Sequence, residues 1–297
     1  MEMANGMVHL MRTRPLLCLL GVLVAATCLA PAQAQSLPEP ATVIIKTGDL
    51  SAELQRRDLW NLQRISYRGV EVATPTGVYG TVISIPAIGG WVGGGHTQGA
   101  VEQIEQVTLT VDGQPAELVD GAIFACDEAV LSKTSMLDKV RLESTYTFRE
   151  GTITELVRLT ATEDVTVITI YPFMHCLSAE TREWMAITGD NQETGGEFTD
   201  SKELQWHEGW EWTAAYIPDR QTGFLLRQLK APEGIEVRTG YWDQDRYHKL
   251  YVSTPLDDEV WVEGRSLEAE VIVTCFEATP DAWKPTACQV AAGLVAE

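Results

Sequence analysis

Four of the five histidines stand in sequence contexts that favour proton-transfer chemistry. His96 lies in the glycine-rich stretch "GGWVGGGHTQGAVEQIE", His175 ends "VITIYPFMH", His207 lies in "LQWHEGWEW" and His248 in "YWDQDRYHK". Because the ordinary pKa of histidine lies near neutrality, an imidazole serves as acid or base with little tuning. We predict His96, His175 and His248 as catalytic acid–base residues, together with the phenol of Tyr247. The alternative for each histidine is a hydrogen-bonded structural role at a strand end.

Large aromatic side chains crowd around these histidines in the sequence. The set comprises Trp91, Trp184, Trp206, Trp210, Trp212, Tyr241, Trp242, Tyr247 and Tyr251. Sugar rings stack their C–H bonds on aromatic faces and offer hydroxyls to charged groups, so such a mixture suits a saccharide in a cleft on a concave sheet. The predicted substrate-binding residues are Trp91, Glu102, Arg182, Trp184, Trp210, Arg246 and Lys249. Alternatively, these rings fill the core of a sandwich.

Two glutamates follow the glycine-rich stretch. Glu102 and Glu105 fall on opposite faces of a regular strand, so both cannot point into one site without a bulge. Glu102 is closer to His96 and is the preferred partner. A divalent metal held by His96, Glu102 and His175 is a minority alternative, because no tight ligand spacing supports it. We expect no metal and no other cofactor.

The elements that must position these residues read as strands. Residues 139–148, 152–160 and 165–174 alternate with period two and are separated by the turns "REGT" and "TEDV". Regular alternation after residue 245 would place Tyr247 and Lys249 on one face of a strand and His248 on the other. The pattern predicts an all-β fold, a large antiparallel β-sandwich, as one domain over residues 40–297. A short helix is expected in the tail "DAWKPTACQVAAGLVAE".

The N-terminal segment has the features of a targeting sequence. Residues 1–34 contain two arginines, an apolar run and a final "AQA", which predicts a secretory signal peptide. We therefore expect an exported protein, periplasmic or extracellular, and no later segment is apolar for long enough to span a membrane. An oxidising compartment permits disulfides, and Cys275 with Cys288 is a plausible pair.

The charge balance restricts the partners. The formal net charge is −20, which argues against nucleic acid because a binder needs a basic face to displace counterions. An acidic surface of this kind typically maintains solubility. A polyanionic glycan is still possible, since a local Arg/Lys pocket can exist on an acidic body.

Several of these features together resemble the galactose-mutarotase-like supersandwich group, the fold of aldose-1-epimerases and of domains in several polysaccharide lyases and glycoside hydrolases. They are His96 in its glycine and aromatic loop, His175 at a strand end, and a closing "VEGRSLEAEVIVTCFEA" that is similar to the group's final strand. The resemblance implies a supersandwich fold and two histidines, His96 and His175, that flank a sugar. The group's late catalytic glutamate has no match in "DRYHKLYVSTPLDDE", which leaves Tyr247 or His248 as replacements.

Two classes of function follow from these patterns. The first is an exported carbohydrate-active enzyme, a polysaccharide lyase or epimerase-like, with hydrolysis less favoured, that moves protons with His and Tyr side chains. In a lyase acting on a uronate, Tyr247 or His248 would take the C5 proton while Arg246 and Lys249 offset the carboxylate charge. The second is a non-catalytic glycan-binding or structural β-domain. Convergence of His96 and His175 in one pocket would favour the enzyme.

Overall fold

A computed structural model describes residues 41–294. The predicted signal peptide at 1–34 lies outside the described residues. In chain order the strands and the helix are β1 (Thr42–Thr47), β2 (Leu50–Gln55), β3 (Leu62–Tyr67), β4 (Val70–Ala73), β5 (Val82–Ile85), β6 (Gly90–Gly93), β7 (Gln103–Val111), β8 (Gln114–Ala116), β9 (Ala122–Ala125), β10 (Glu128–Leu137), β11 (Val140–Arg149), β12 (Thr152–Ala161), β13 (Val165–Ser178), β14 (Glu183–Thr188), β15 (Glu193–Glu197), β16 (Leu204–Glu208), β17 (Trp210–Ile217), β18 (Thr222–Lys230), β19 (Arg238–Trp242), β20 (Tyr247–Trp261), β21 (Ser266–Glu277) and α1 (Trp283–Gly293).

The strands of residues 41–294 form two large sheets. The first has 11 strands in the order β16-β19-β20-β13-β4-β3-β2-β1-β9, with β5 and β6 joined beside β13. The second has 10 strands in the order β15-β14-β17-β18-β21-β12-β11-β10-β7-β8. All the pairings are antiparallel except that of β1 with β9. The predicted all-β sandwich is confirmed.

The core lies between the sheets because each strand turns every second side chain inward. In β10, for example, buried and partly exposed residues alternate along the whole strand. Ile45 and Leu54 of the first sheet and Leu131, Phe148 and Val273 of the second belong to the same buried cluster. Burial of this apolar area supplies the main favourable contribution to folding.

The predicted C-terminal helix forms as α1 and covers the outer face of the second sheet. Trp283 stacks on Tyr216 with ring centroids 5.2 Å apart, and Ala287 and Ala291 are buried in the same cluster. Among residues 41–294 no helix is long and apolar enough to cross a membrane. Cys275 is buried on β21 whereas Cys288 is exposed on α1, and both are free thiols, so the disulfide that the sequence suggested is absent.

Candidate functional site

Two neighbouring strands of the first sheet depart from the alternation of burial. In β13 the residues from Pro172 to Ser178 are all buried, and in β20 the residues from His248 to Thr254 are all buried. A strand with a solvated face would show exposed positions there. Both faces of this part of the sheet are therefore covered, one by the core and the other by a separate set of side chains.

That second covering lies on the face turned away from the other sheet, here called the outer face. Leu250 and Val252 of β20 belong to the core between the sheets, while Tyr251 belongs to a separate cluster with Met174 and Val82. Because side chains alternate along a strand, Lys249 and Tyr247 share the outer face with Tyr251.

A β-bulge decides which side chains of β13 reach the outer face. The register of β13 against β20 shifts between Ile170 and Phe173. Ile170 and Phe173 both pack in the core, so Tyr171 and Met174 point outward and His175 points inward. Without the bulge Tyr171 and His175 would share one face.

Six side chains form a closed circuit of contacts on the outer face. Ring centroids are 5.2 Å apart for Tyr79 and His96, 6.0 Å for His96 and Trp91, 5.0 Å for Trp91 and Tyr171, and 5.2 Å for Tyr171 and Tyr251. The Lys249 ammonium closes the circuit, with Nζ 3.1 Å from the Tyr79 ring centroid and 4.9 Å from that of Tyr251. We call these six residues, together with Trp206 and Arg238, the outer-face cluster.

The outer-face cluster has a buried floor and a half-buried rim. Lys249 is 2% exposed and Tyr251 7% exposed. The rings around them are half-buried, namely Tyr79, Trp91, His96, Tyr171 and Trp206. Trp91, Tyr171 and Trp206 form a row, with interplanar angles of 8° and 16°, and the Arg238 guanidinium lies 4.7 Å from the Trp206 centroid. Aromatic surface is thus offered beside an imidazole and two cations.

His96 is prepared to act as a base. Burial and the nearby Lys249 charge lower the pKa of His96. Its Nδ1 lies 3.3 Å from the side-chain oxygen Oε1 of Gln98, and in the tautomer that donates this hydrogen bond the lone pair is on Nε2. Within residues 41–294, Nε2 is buried and has no hydrogen-bond partner. A neutral imidazole whose lone pair accepts no hydrogen bond from the protein can accept a proton at neutral pH.

The other titratable groups of the cluster, and Tyr247 beside it, serve as donors and charges. Burial lowers the pKa of Lys249 to about 8, so the amine is still largely charged at neutral pH. Burial raises the pKa of Tyr171, Tyr247 and Tyr251, and the Tyr79 hydroxyl contributes further for Tyr247. These phenols stay protonated and can donate hydrogen bonds to sugar oxygens.

The glycines before His96 let its loop pack closely on the protein's own chain. A Cβ at Gly95, whose φ is +78°, would lie 2.4 Å from the Val78 carbonyl oxygen and 2.6 Å from Cδ1 of Tyr79. A Cβ at Gly94 would lie 2.5 Å from Nδ2 of Asn61. The glycines thus place His96 against Tyr79, because no other residue leaves room for this approach.

The structure brings together His96, Trp91, Tyr247 and Lys249 of the predicted site residues. Tyr247 lies beside Tyr79 and Cys176, since a Cβ at Gly77 would contact all three. Arg246 is exposed in the turn before β20, and exposed Arg182 donates hydrogen bonds to the carbonyl oxygens of Ala179 and Thr181.

The other two predicted catalytic histidines point between the sheets. Nε2 of His175 lies 2.9 Å from Oε1 of Glu155 on β12, and its ring packs on Phe224. Nδ1 of His248 lies 3.0 Å from Oδ1 of Asp243. His175 therefore does not face His96 across a cleft, and the geometry does not support catalytic roles for His175 and His248 at the outer face.

Glu102 also lies in the interior rather than in the cluster. Its Oε1 is 3.0 Å from Nζ of Lys133 and accepts a hydrogen bond from Ser135 at 2.7 Å. Lys133 donates further hydrogen bonds to the Leu59 carbonyl at 2.9 Å and to Oδ1 of Asn61 at 3.1 Å. Glu102 thus fixes Lys133 and Asn61, the residue on which Gly94 packs, and supports the His96 loop from below.

Trp184 and Trp210 are core residues, because the stretch "LQWHEGWEW" does not form one strand. The strand is interrupted at Gly209, which has a φ of +59°, and the chain passes there from β16 in the first sheet to β17 in the second. Trp206 consequently reaches the outer face, whereas Trp210 joins the core and Trp184 packs on His207 and Tyr241.

Sequence reasoning did not select Tyr79, Tyr171, Trp206, Arg238 and Tyr251 as site residues. Tyr251 could have been found by extending the alternation of Tyr247 and Lys249 by one step. Tyr171 and Trp206 share the outer face without His175 and Trp210 because of the bulge, which leaves no clear signal in the sequence, and because of the break at Gly209.

The three residues considered for a metal are not gathered at one point, because Glu102 and His175 have partners in the interior. Within residues 41–294 one other set of potential ligands comes together. Atoms of Asp200, Asp243 and His248 all lie within 4.8 Å of one another. Oδ2 of Asp243 already accepts hydrogen bonds from Thr199 and Ser201, so this carboxylate mainly organises the preceding loop.

A surface depression of about 630 Å³ lies away from the outer-face cluster, lined by Gly48, Asp112, Cys126, Asp127, Glu128, Arg149 and Glu150. Its lining holds no imidazole and no aromatic ring, and four of its seven residues are acidic. It lacks the groups that proton transfer or sugar stacking would need.

Comparison with known proteins adds information about the fold. No protein-family model and no curated protein sequence matches this chain. Over 80% of its length it is similar to the galactosidase domain of an alpha-galactosidase–sucrose kinase, with 10% identity and a TM-score of 0.53, and to the GH36 alpha-galactosidase AgaA from Geobacillus stearothermophilus, with 9% identity and a TM-score of 0.51. It covers 40% and 41% of those chains.

A galactose mutarotase-like protein from Lactobacillus casei matches 79% of this chain and is itself covered completely, with 8% identity and a TM-score of 0.49. A structure of the galactose-mutarotase-like group is thus among those that this chain is similar to, as the resemblance in the sequence predicts. At these identities the likeness describes the fold alone.

Proposed function

We propose that the protein binds a saccharide on the outer-face cluster and transfers a proton with His96. The observation that carries the proposal is the closed circuit of five rings and Lys249, in which one ring is a neutral imidazole. Trp91 and Trp206 supply aromatic surface for the C–H face of a sugar, and the protonated phenols supply donors for its oxygens. The fold, which is shared with domains of galactosidases, supports a carbohydrate ligand.

The chemistry that these residues favour has one base and several neutral donors. His96 accepts a proton at Nε2 from a sugar carbon or hydroxyl, while a protonated tyrosine such as Tyr247 or Tyr251 donates one to a ring or glycosidic oxygen. This division of labour fits a polysaccharide lyase or an epimerase-like enzyme. It does not supply the two carboxylates that glycoside hydrolysis ordinarily uses.

A non-catalytic glycan-binding domain is the second candidate. One specific observation favours it: among the described residues His96 is the single imidazole on the outer face, since His175, His207 and His248 pack inside. In this case the aromatic rim and Lys249 hold a sugar and His96 only completes the circuit.

A panel of neutral and uronate-containing polysaccharides tests the proposal. Rising ultraviolet absorbance from an unsaturated product would identify a lyase, and exchange of anomers on a free sugar would identify an epimerase. We expect His96→Gln to abolish either turnover while ligand binding is retained, and Glu105→Gln, at a surface ion pair with Arg141, to leave turnover unchanged. Binding without turnover in the wild type would favour the second candidate. No binding by any saccharide would overturn both.

A further inference from the structure

The residues on the outer face also carry information about the charge of the ligand. Two basic side chains are buried within residues 41–294, Lys133 and Lys249. Lys133 is neutralised by Glu102 at 3.0 Å. Lys249 has aromatic faces around its ammonium and no carboxylate partner among these residues.

A buried cation without a counter-charge lowers the stability of the folded protein, and this chain contains many carboxylates that could have paired with it. The sequence carries 42 acidic residues against 22 basic ones, so carboxylates are abundant. Burial penalises the charged form of the amine, and the contacts with the Tyr79 and Tyr251 rings compensate only in part. A carboxylate supplied from outside would pair with this charge inside a largely desolvated site, where such an interaction is strong.

Arg238 is a second, half-buried cation without an ion-pair partner among the described residues. Its guanidinium lies 4.7 Å from the Trp206 centroid, and its Nε is buried without a hydrogen-bond partner within the described residues. Most other arginines of residues 41–294 form ion pairs at the surface, as Arg158 does with Glu268 and Arg220 with Glu180. The outer face therefore presents two unpaired cations on an otherwise acidic protein.

We infer that the saccharide bound at the outer-face cluster is a uronate, whose carboxylate pairs with Lys249 and is assisted by Arg238. This inference rests on the proposed function, because it names the class of sugar that the same site takes. The overall charge of −20 repels polyanions in general, so recognition depends on these local charges. His96 gains from the pairing, since a bound carboxylate offsets the Lys249 charge that disfavours its protonation.

Matched ligands isolate the carboxylate from the rest of the sugar. Binding is measured by calorimetry for oligomers of galacturonate, glucuronate and mannuronate, each against its own methyl ester, which keeps the ring stereochemistry and removes the charge. We expect at least one acid to bind about 10-fold or more tightly than its ester, as charge-assisted hydrogen bonds contribute. Its affinity should also fall as salt rises, whereas that of the ester should not.

The protein is varied in parallel. Lys249→Met keeps the volume of the side chain, removes the charge, and should bring the affinity for the acid down to that for the ester. Lys46→Met, at an exposed lysine of β1 in the same sheet, is the matched control and should change neither affinity. If Lys249→Met fails to fold, the salt dependence of the wild type still decides the question.

The outcomes separate the two proposals. Equal binding of every acid and its ester, or equal weakening of both by Lys249→Met, would overturn the uronate inference and leave the saccharide proposal standing. Tight binding of sulfated oligosaccharides that contain no uronate, without binding of any uronate, would also overturn the uronate inference. Binding of neither charged nor neutral saccharides would contradict the proposed function itself.

Discussion

Lys133 and Lys249 lie in two regions that treat a buried lysine charge differently. Between the sheets, Lys133 has a carboxylate, an amide oxygen and a backbone carbonyl within hydrogen-bond distance. On the outer face, Lys249 has ring faces and no counter-charge in the described part of the chain. A region in which a buried charge has its counter-charge serves stability, whereas a region that leaves a buried charge without a counter-charge is prepared for a ligand.

Removing one charge from each region tests whether the two lysines differ in role. We expect Glu102→Gln to lower the free energy of unfolding by about 3–5 kcal/mol, because it leaves the buried Lys133 charge uncompensated. We expect Lys249→Met to change it by no more than about 1 kcal/mol, since an unpaired cation is exchanged for an apolar chain of similar volume. Urea unfolding of both variants measures the difference.

A double variant supplies the control. Glu102→Gln combined with Lys133→Met removes both charges. The double variant should recover most of the stability that Glu102→Gln loses, because the effects of substitutions at contacting residues are not additive. Equal destabilisation by Glu102→Gln and Lys249→Met would show that both lysines are structural, and the contrast between the two regions would fail.

The loop that joins the two regions is tested by a substitution at Gly95. Gly95→Ala places a methyl group against the Val78 carbonyl and Tyr79 at a positive φ, so we expect about 1–2 kcal/mol of backbone strain and a further ~1–3 kcal/mol from overpacking. His96 should be displaced with the loop, and saccharide affinity should fall with it. Unfolding by urea and calorimetric titration measure the two effects.

Gly113→Ala is the matched control for this substitution. Gly113 has nearly the same φ, +74°, but a Cβ there meets nothing within 4 Å. This variant should show the backbone strain alone and unchanged ligand affinity. Identical losses in the two variants would mean that the close approach at Gly95 does not position His96.

Much of the fold could be read from alternation of side chains. The three predicted runs at 139–148, 152–160 and 165–174 correspond to β11, β12 and β13, and the helix was found in the expected tail. These elements follow from the period-two pattern because one face of each strand must be buried.

The candidate site was harder to predict because alternation fails where the chain is irregular. His175 was expected opposite His96, but the bulge between Ile170 and Phe173 exchanges the faces of β13 after Tyr171, so Tyr171 points outward and His175 points inward. Gly209 likewise separates Trp206 from Trp210. In both places one residue changes which side chains meet; the bulge in β13 has no marker in the sequence, whereas Gly209 is a residue type that can interrupt a strand.

The smallest effect concerns the coupling between His96 and Lys249. Burial first, and then the Lys249 charge, lower the pKa of His96. Lys249→Met should therefore raise this pKa part of the way towards its ordinary value, because it removes the charge and leaves the burial. Titration of the histidine ring signals by NMR measures both proteins, with the surface variant Lys46→Met expected to match the wild type. An unchanged pKa would show that the two groups are not coupled.

The same lowered pKa fixes how stability depends on pH. Because the unfolded chain binds the proton more readily than the folded protein, the stability that neutral His96 contributes is present above the unfolded pKa and is lost as the pH falls through the folded pKa. In His96→Gln the free energy of unfolding should fall less steeply between the unfolded and folded pKa values of His96. Unfolding at a series of pH values would detect this change. In Lys249→Met the pH range between the folded and unfolded pKa values of His96 should narrow, because the folded pKa, which is its lower limit, rises. A pH range unaffected by Lys249→Met would assign the shift to burial alone, and Lys249 would then act on the ligand without acting on the base.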